Sequence, residues 1–123
     1  SGVAAQVAAS SPAPPPGLLL ITPFDRIETA ARRHYPWLPV NLLLRDRWES
    51  DRALRGYPGR VALLLAGADE VVPVESGRAL AAGLDPGRTM VVEEPDAGHN
   101  DVLFSIPPRE LSRAVRFAAG IAD

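Results

Sequence analysis

The chain has no cysteine, one methionine and only 6% aromatic residues among its 123. Without cysteine it forms no disulfide, holds no metal through a thiolate and has no thiolate nucleophile. Positive charge is not in excess either, because 13 basic and 15 acidic residues give a formal net charge of -2. A protein that holds a phosphate backbone needs a basic surface, so nucleic acid is not an expected partner.

Long hydrophobic runs are also missing. The longest apolar stretches, GLLLI and VALLLAGA, are too short to cross a bilayer, so no membrane span is predicted. No glycine-rich loop follows an apolar segment, which argues against a flavodoxin-like phosphate site, and no cofactor is expected. The 46% of hydrophobic residues suffice for one domain over 1–123 that buries about two thirds of its unfolded surface.

Apolar and helical segments alternate along the chain. Continuous apolar runs predict three buried strands, at 18–22, 60–67 and 89–94. Alanine-rich or amphipathic stretches predict helices at 2–9, 26–34 and 74–82, with a last helix that begins at Pro107 and Pro108. Apolar strands that alternate with helices are typical of a parallel sheet covered on both faces, so the fold class is α/β.

Two polar loops follow the second and third predicted strands. Asp69 comes after the second strand, and His99 stands in the sequence DAGHND after the third. The carboxyl ends of parallel strands are where chemistry collects in α/β sheets. Asp69 has a structural alternative as the end of the strand or the cap of the helix near Val74, and Glu70 competes with it as an acid.

His99 also has alternatives. It can be a loop histidine that bonds Asp96 or Asp101, and those three side chains have the composition of a metal site without a known ligand spacing. No metal is therefore predicted. The other histidine, His34, follows two arginines and is predicted on the surface or in a lid.

Four stretches of the chain resemble the carboxyl-terminal half of an α/β-hydrolase: LLLITPF, RRHYPWLPVNLLLRDRWES, GADEVVPVESGRAL and DAGHND. Within that superfamily the chain is similar to the bacterial serine hydrolases of the Bem46 and ABHD types. The resemblance implies about three parallel strands with helices on both faces, an incomplete sheet. It also implies that Asp69 and His99 are the acid and base of a Ser–Asp–His triad, with an acyl ester as the substrate of the complete protein.

The triad serine of that family lies in a GxSxG turn, and the chain contains none. The family commonly continues this turn with SGVA, which is how the chain opens, so the resemblance implies a nucleophile upstream of residue 1. The oxyanion-hole amides would be upstream too, and we expect the chain alone to be inactive. Ser1, Ser76 and Ser105 lack the context of a nucleophile, and local hydrogen bonding explains the last two.

The segment 35–56 resembles the lid of such hydrolases. Its residues Tyr35, Trp37, Leu38 and Trp48 would line an acyl pocket, or they would only pack against the sheet. The first strand would normally pair with the strand that leads to the nucleophile, so its apolar edge is expected to be open. The expected partners are the amino-terminal half as a separate chain or a second copy. The alternative function is a non-catalytic α/β domain that associates through this edge.

Overall fold

The chain folds around a parallel sheet of three strands in the order β1-β2-β3. The computed structural model describes residues 2–40 and 49–122. The strands are β1 (Gly17–Ile21), β2 (Arg60–Ala66) and β3 (Thr89–Glu94). The helices are α1 (Gly2–Ser10), α2 (Ile27–His34), α3 (Ser50–Arg55), α4 (Val74–Ala82), α5 (Val102–Ser105) and α6 (Pro108–Ala119), with a short 3₁₀ turn at Pro86–Arg88. The predicted α/β class is confirmed, and α3 and α5 are additions to the predicted elements.

The central strand β2 is the core of the molecule. Its odd-numbered residues Val61, Leu63 and Leu65 pack with α1, α3 and α4, and its even-numbered residues Ala62, Leu64 and Ala66 pack with α5 and α6. This division follows from the strand geometry, since successive side chains point to opposite faces. Because both faces are covered, the whole run of apolar residues is buried, as a strand in the middle of a parallel sheet requires.

The two outer strands are less covered. Within residues 2–40 and 49–122, β1 and β3 each pair only with β2. Leu20 is the one buried residue of β1, and β3 has none, with Ile21 37% and Val91 45% exposed. The prediction of strands buried on both faces is therefore right for β2 and wrong for its neighbours, because the helices pack mainly over the middle of the sheet.

The last helix covers one face of the sheet and shows why its ends lie where they do. Pro108 occupies the first turn, where its missing N–H costs no hydrogen bond, and Gly120 ends the helix in the left-handed conformation with φ 72°. Ala114 and Ala118 are its buried residues. In the described ranges, α6 and every other helix fall short of the length and apolarity that a membrane crossing needs.

Candidate active site

The loops that follow β2 and β3 are bonded to each other directly beyond the sheet. The N–H of Gly67 donates to the carbonyl of Glu94 at 2.8 Å, and the N–H of Ala68 donates to the carbonyl of Ala97 at 3.0 Å. A Cβ atom on Gly67 would lie 2.4 Å from the carbonyl oxygen of Pro95. Only glycine lets the two backbones approach this closely, so the pairing of the sheet continues into both loops.

Asp69 is fixed by the turn that it begins. Its side chain is 2% exposed, and its Oδ1 accepts hydrogen bonds from the N–H groups of Val71 and Val72, both at 2.8 Å. An aspartate that bonds the backbone two and three residues further on stabilises a tight turn. The structural alternative for Asp69 is thus realised in part, and it leaves Oδ2 available.

The second carboxylate oxygen of Asp69 faces His99. Oδ2 lies 2.8 Å from the Nδ1 of His99, whose side chain is 29% exposed. A carboxylate only accepts, so Nδ1 carries the proton and Nε2 of the neutral ring is left as the basic nitrogen. Among the described residues Nε2 has no hydrogen-bond partner. A buried acid that orients a partly exposed imidazole is the arrangement of an acid–base relay.

The alternative partners of His99 are not bonded to it. Within the described chain, His99 makes no hydrogen bond with Asp96 or Asp101, and Asp101 instead accepts from the N–H of Gly98 at 2.5 Å. Glu70 is exposed, so the choice of Asp69 as the partner of His99 agrees with the geometry. No group of three or more His, Asp or Glu side chains in the described ranges is placed to hold a metal ion.

No serine of residues 2–40 and 49–122 makes a hydrogen bond with His99. Ser76 donates to the carboxylate of Asp25 at 2.5 Å, and Ser105 donates to the carbonyl of Asp101 at 3.1 Å. Ser105 therefore has the local partner that was expected, whereas the expectation for Ser76 is wrong, because its side chain bonds Asp25, 51 residues away along the chain. Ser1 lies outside the described residues.

Two of the predicted pocket residues, Tyr35 and Trp37, are largely exposed. Tyr35 is 53% exposed and Trp37 is 77% exposed, Leu38 is half-buried, and Trp48 lies outside the described residues. The second half of the predicted lid segment 35–56 contains α3, whose Leu54 is buried in the core beside α1. The helix α3 is thus part of the domain core, which the proline-marked and aromatic sequence before it did not indicate.

The loop after β1 reaches the same edge of the sheet. Thr22 has φ 44°, a conformation that is uncommon for a β-branched residue, and its N–H donates to the carbonyl of Leu64 at 2.8 Å. Asp25 follows and accepts from Ser76 at the start of α4. Strained backbone at Thr22 and a half-buried polar pair, Asp25 with Ser76, thus flank the turn that holds Asp69, and no sequence pattern pointed to either.

A contact from α2 was also missed by sequence reasoning. The Nε2 of His34 lies 2.9 Å from the carbonyl oxygen of Val71, inside the turn that Asp69 begins. His34 is exposed, as predicted, and the two arginines before it suggested only a surface position. The partners are 37 positions apart along the chain, which explains why no local signal predicted this bond.

Comparison of sequences gives relatives without an assigned activity. No protein-family model matches the chain. Two curated proteins of Mycobacterium tuberculosis, described as uncharacterized proteins MT2364 and Rv2307c, are each 37% identical to it over 101 residues. The match covers 81% of this chain and 35% of each relative, so the chain spans about a third of the length of the curated relatives it matches.

Several solved structures are similar to nearly the whole chain. An esterase of Pyrococcus furiosus superposes with a TM-score of 0.68 at 14% identity, over 94% of this chain and 47% of the esterase. The chain has the α/β-hydrolase fold. An α/β-hydrolase enzyme from a deep-sea metagenome library of the Medee basin superposes with a TM-score of 0.65 at 14% identity, over 99% of this chain and 62% of that enzyme. The putative non-heme bromoperoxidase BpoC of Mycobacterium tuberculosis superposes with a TM-score of 0.65 at 16% identity, over 99% of this chain and 64% of BpoC.

Proposed function

We propose that the chain supplies the acid and base of a Ser–Asp–His triad in a serine acyl hydrolase of the Bem46 or ABHD type. The observation that carries the proposal is the 2.8 Å bond from Nδ1 of His99 to the buried Asp69, at the carboxyl edge of the sheet. The fold supports it because hydrolases of this class display their triads at that edge. The nucleophile belongs to a segment outside the described residues.

The proposed reaction follows from the two nitrogens of His99. Nε2 takes the proton from the serine hydroxyl as its oxygen bonds to the ester carbonyl, and Asp69 stabilises the imidazolium that forms. His99 then gives this proton to the departing alcohol oxygen. The same nitrogen then deprotonates a water whose oxygen bonds to the acyl carbon, and it returns this proton to the serine oxygen as the acyl–serine bond breaks and the acid is released. Backbone N–H groups outside this chain stabilise the oxyanion, and neither metal nor cofactor takes part.

The substrate and partner proposals rest on exposed apolar surface. Tyr35 and Trp37 are aromatic and uncovered, and we assign them to the wall of an acyl pocket together with Leu38 and Trp48. The half-covered strand β1 is assigned as the edge that pairs with the segment carrying the serine. The chain alone is then inactive, because the nucleophile and the oxyanion hole are supplied by that segment.

The test uses the protein expressed from its whole reading frame. Denaturing mass spectrometry identifies the polypeptides present, a fluorophosphonate probe identifies a reactive serine, and p-nitrophenyl acetate reports turnover. We expect a labelled GxSxG serine and a fall in kcat of about 10⁴- to 10⁶-fold in His99→Ala, with about 10⁴-fold in Asp69→Asn. Glu70→Gln, in the same loop but exposed, is the matched control and should keep full turnover. Turnover that survives His99→Ala would contradict the proposal.

A second candidate function is a non-catalytic domain that associates through its sheet edges. The observation that favours it is the partial exposure of β1 and β3, each of which pairs with one strand in the described residues. It predicts a single 13.1 kDa species without labelling or turnover that forms dimers or larger assemblies in analytical ultracentrifugation. A labelled serine would exclude it.

A further inference from the structure

We infer that His34 is a positioning residue for the acid of the relay, through the peptide group that joins Val71 to Val72. The catalytic consequence of this inference rests on the proposed function. The bond itself rests on the geometry of α2 and of the turn 69–72, which Asp69 begins and which we call the acid turn. It concerns a histidine that lies far from Asp69 in the sequence and makes no direct contact with the reacting groups.

The bond series runs through a single peptide group. The carbonyl of Val71 and the N–H of Val72 belong to the same amide. The carbonyl accepts from Nε2 of His34 at 2.9 Å, and the N–H donates to Oδ1 of Asp69 at 2.8 Å. Oδ2 of Asp69 accepts from Nδ1 of His99 at 2.8 Å. His34 thus donates to the carbonyl of the Val71–Val72 amide, and the N–H of the same amide donates to Asp69, the partner of His99.

The direction of each bond is fixed by its acceptor. A carbonyl oxygen only accepts, so Nε2 of His34 carries a proton, in the neutral Nε2–H tautomer and in the imidazolium alike. A hydrogen bond to a carbonyl polarises the amide and strengthens its N–H as a donor, by about 10–30% per bond in condensed-phase estimates. The bond from His34 therefore both orients the Val72 N–H and makes it a better donor to Asp69.

His34 links the end of α2 to the acid turn through its bond to Val71. It is the last residue of α2, a helix without a buried residue, and the exposed Tyr35 follows it directly. The acid turn, in contrast, is held by the buried Asp69 and is bonded to the loop of His99. The bond therefore couples the segment assigned to the acyl pocket with the acid. A shift of α2 on substrate binding would change how firmly Asp69 is held.

The experiment compares two replacements of His34 in the protein from the whole reading frame. His34→Gln keeps an N–H donor at a similar reach, whereas His34→Phe keeps a ring without a donor. Arg33→Ala, the exposed neighbour, is the matched control. The first readout is independent of activity: amide hydrogen exchange of Val72, with the amides of buried β2 as the internal reference for global stability.

Loss of one hydrogen bond should speed Val72 exchange by about two- to tenfold in His34→Phe, with no change in the β2 amides. His34→Gln and Arg33→Ala should leave the rate within about twofold of the original. The proton signal of Nδ1–H of His99 should shift in His34→Phe and return in His34→Gln. Unchanged exchange and an unchanged signal in His34→Phe would overturn the inference.

The second readout is kinetic. We expect kcat for p-nitrophenyl acetate to fall by about three- to tenfold in His34→Phe, with KM little changed, and to recover in His34→Gln. An equal loss in His34→Gln, or unchanged kcat in His34→Phe, would overturn the positioning role. A protein without turnover counts against the proposed function instead, and the exchange measurement then still decides whether His34 holds the acid turn.

Discussion

The central strand β2 and the outer strand β1 are made of similar apolar residues and differ in what covers them, while the outer strand β3 ends in two glutamates. β2 has a strand on each side and helices on both faces, and all its residues from Val61 to Ala66 are buried. β1 and β3 have one strand neighbour within the described ranges and remain partly exposed. The described helices and strands therefore bury the centre of the sheet fully and its two outer strands only in part. The acid turn follows the well-covered strand β2. The loop of His99 is held beside it by the backbone hydrogen bonds that the N–H groups of Gly67 and Ala68 donate.

The largest expected effect separates the centre of the sheet from its edge. Leu64→Ala removes a fully buried side chain from β2 and should lower the free energy of unfolding by about 2–5 kcal/mol. Val91→Ala, on the neighbouring strand β3 at a position that is 45% exposed, is the control and should cost at most about 1 kcal/mol. Urea unfolding followed by circular dichroism measures both. Equal losses would mean that the edge is as well covered as the centre.

A smaller effect is expected from the contact that extends the centre into the site. In Gly67→Ala the new Cβ meets the backbone of Pro95, which cannot move without shifting the loop of His99. We expect a loss of about 1–3 kcal/mol in urea unfolding. Gly56→Ala is the matched control, because a Cβ there meets no atom within 4 Å and the backbone φ of -94° suits alanine. If both variants were equally stable, the two loops would be free to separate.

The smallest expected effect concerns an ion pair at the outer strand. Arg78 makes two hydrogen bonds to the carboxylate of Glu93, at 2.5 and 3.0 Å, and these bonds hold the pKa of Glu93 below its usual value of 4.5. Because the pKa is lower in the folded state, the pair stabilises the fold above pH 4.5 and this contribution is lost as the pH falls through the folded pKa.

Arg78→Gln should therefore lower the urea midpoint only slightly at pH 7, since the pair is partly exposed and screened by solvent, and the difference from the original protein should fade below pH 4.5. Arg109→Gln, on the surface of α6, is the control for loss of positive charge. Urea midpoints across this pH range measure the effect. A difference that persists in acid would assign the loss to packing of the arginine stem.

The sequence allowed the strands and the relay to be predicted because both leave local or ordered signals. Runs of aliphatic residues mark β1 and β2, a shorter apolar stretch at 90–92 marks β3, and the order of an aspartate loop before a histidine loop singles out Asp69 and His99. In the structure the Oδ2 of Asp69 lies 2.8 Å from the Nδ1 of His99. Their roles in catalysis remain a prediction.

The features that could not be predicted from the sequence depend on contacts between residues that are distant along the chain. The bond of His34 to Val71 and the close approach of Gly67 to Pro95 exist only once the sheet has formed. The short helix α5 offers too few residues for a periodic pattern. The exposure of β1 and β3 was misjudged for a related reason, since an apolar composition does not state how many neighbours a strand will have.

The parallel register also has a consequence for folding. Gly17 of β1 lies opposite Arg60 of β2, and Val61 of β2 lies opposite Thr89 of β3, so neither strand pair can start from a local hairpin. Each pairing requires a long stretch of chain to close first, which makes sheets of this kind slow to assemble. Until both neighbours arrive, the aliphatic residues of β2 remain exposed. A newly made chain is therefore expected to be most prone to aggregation through β2.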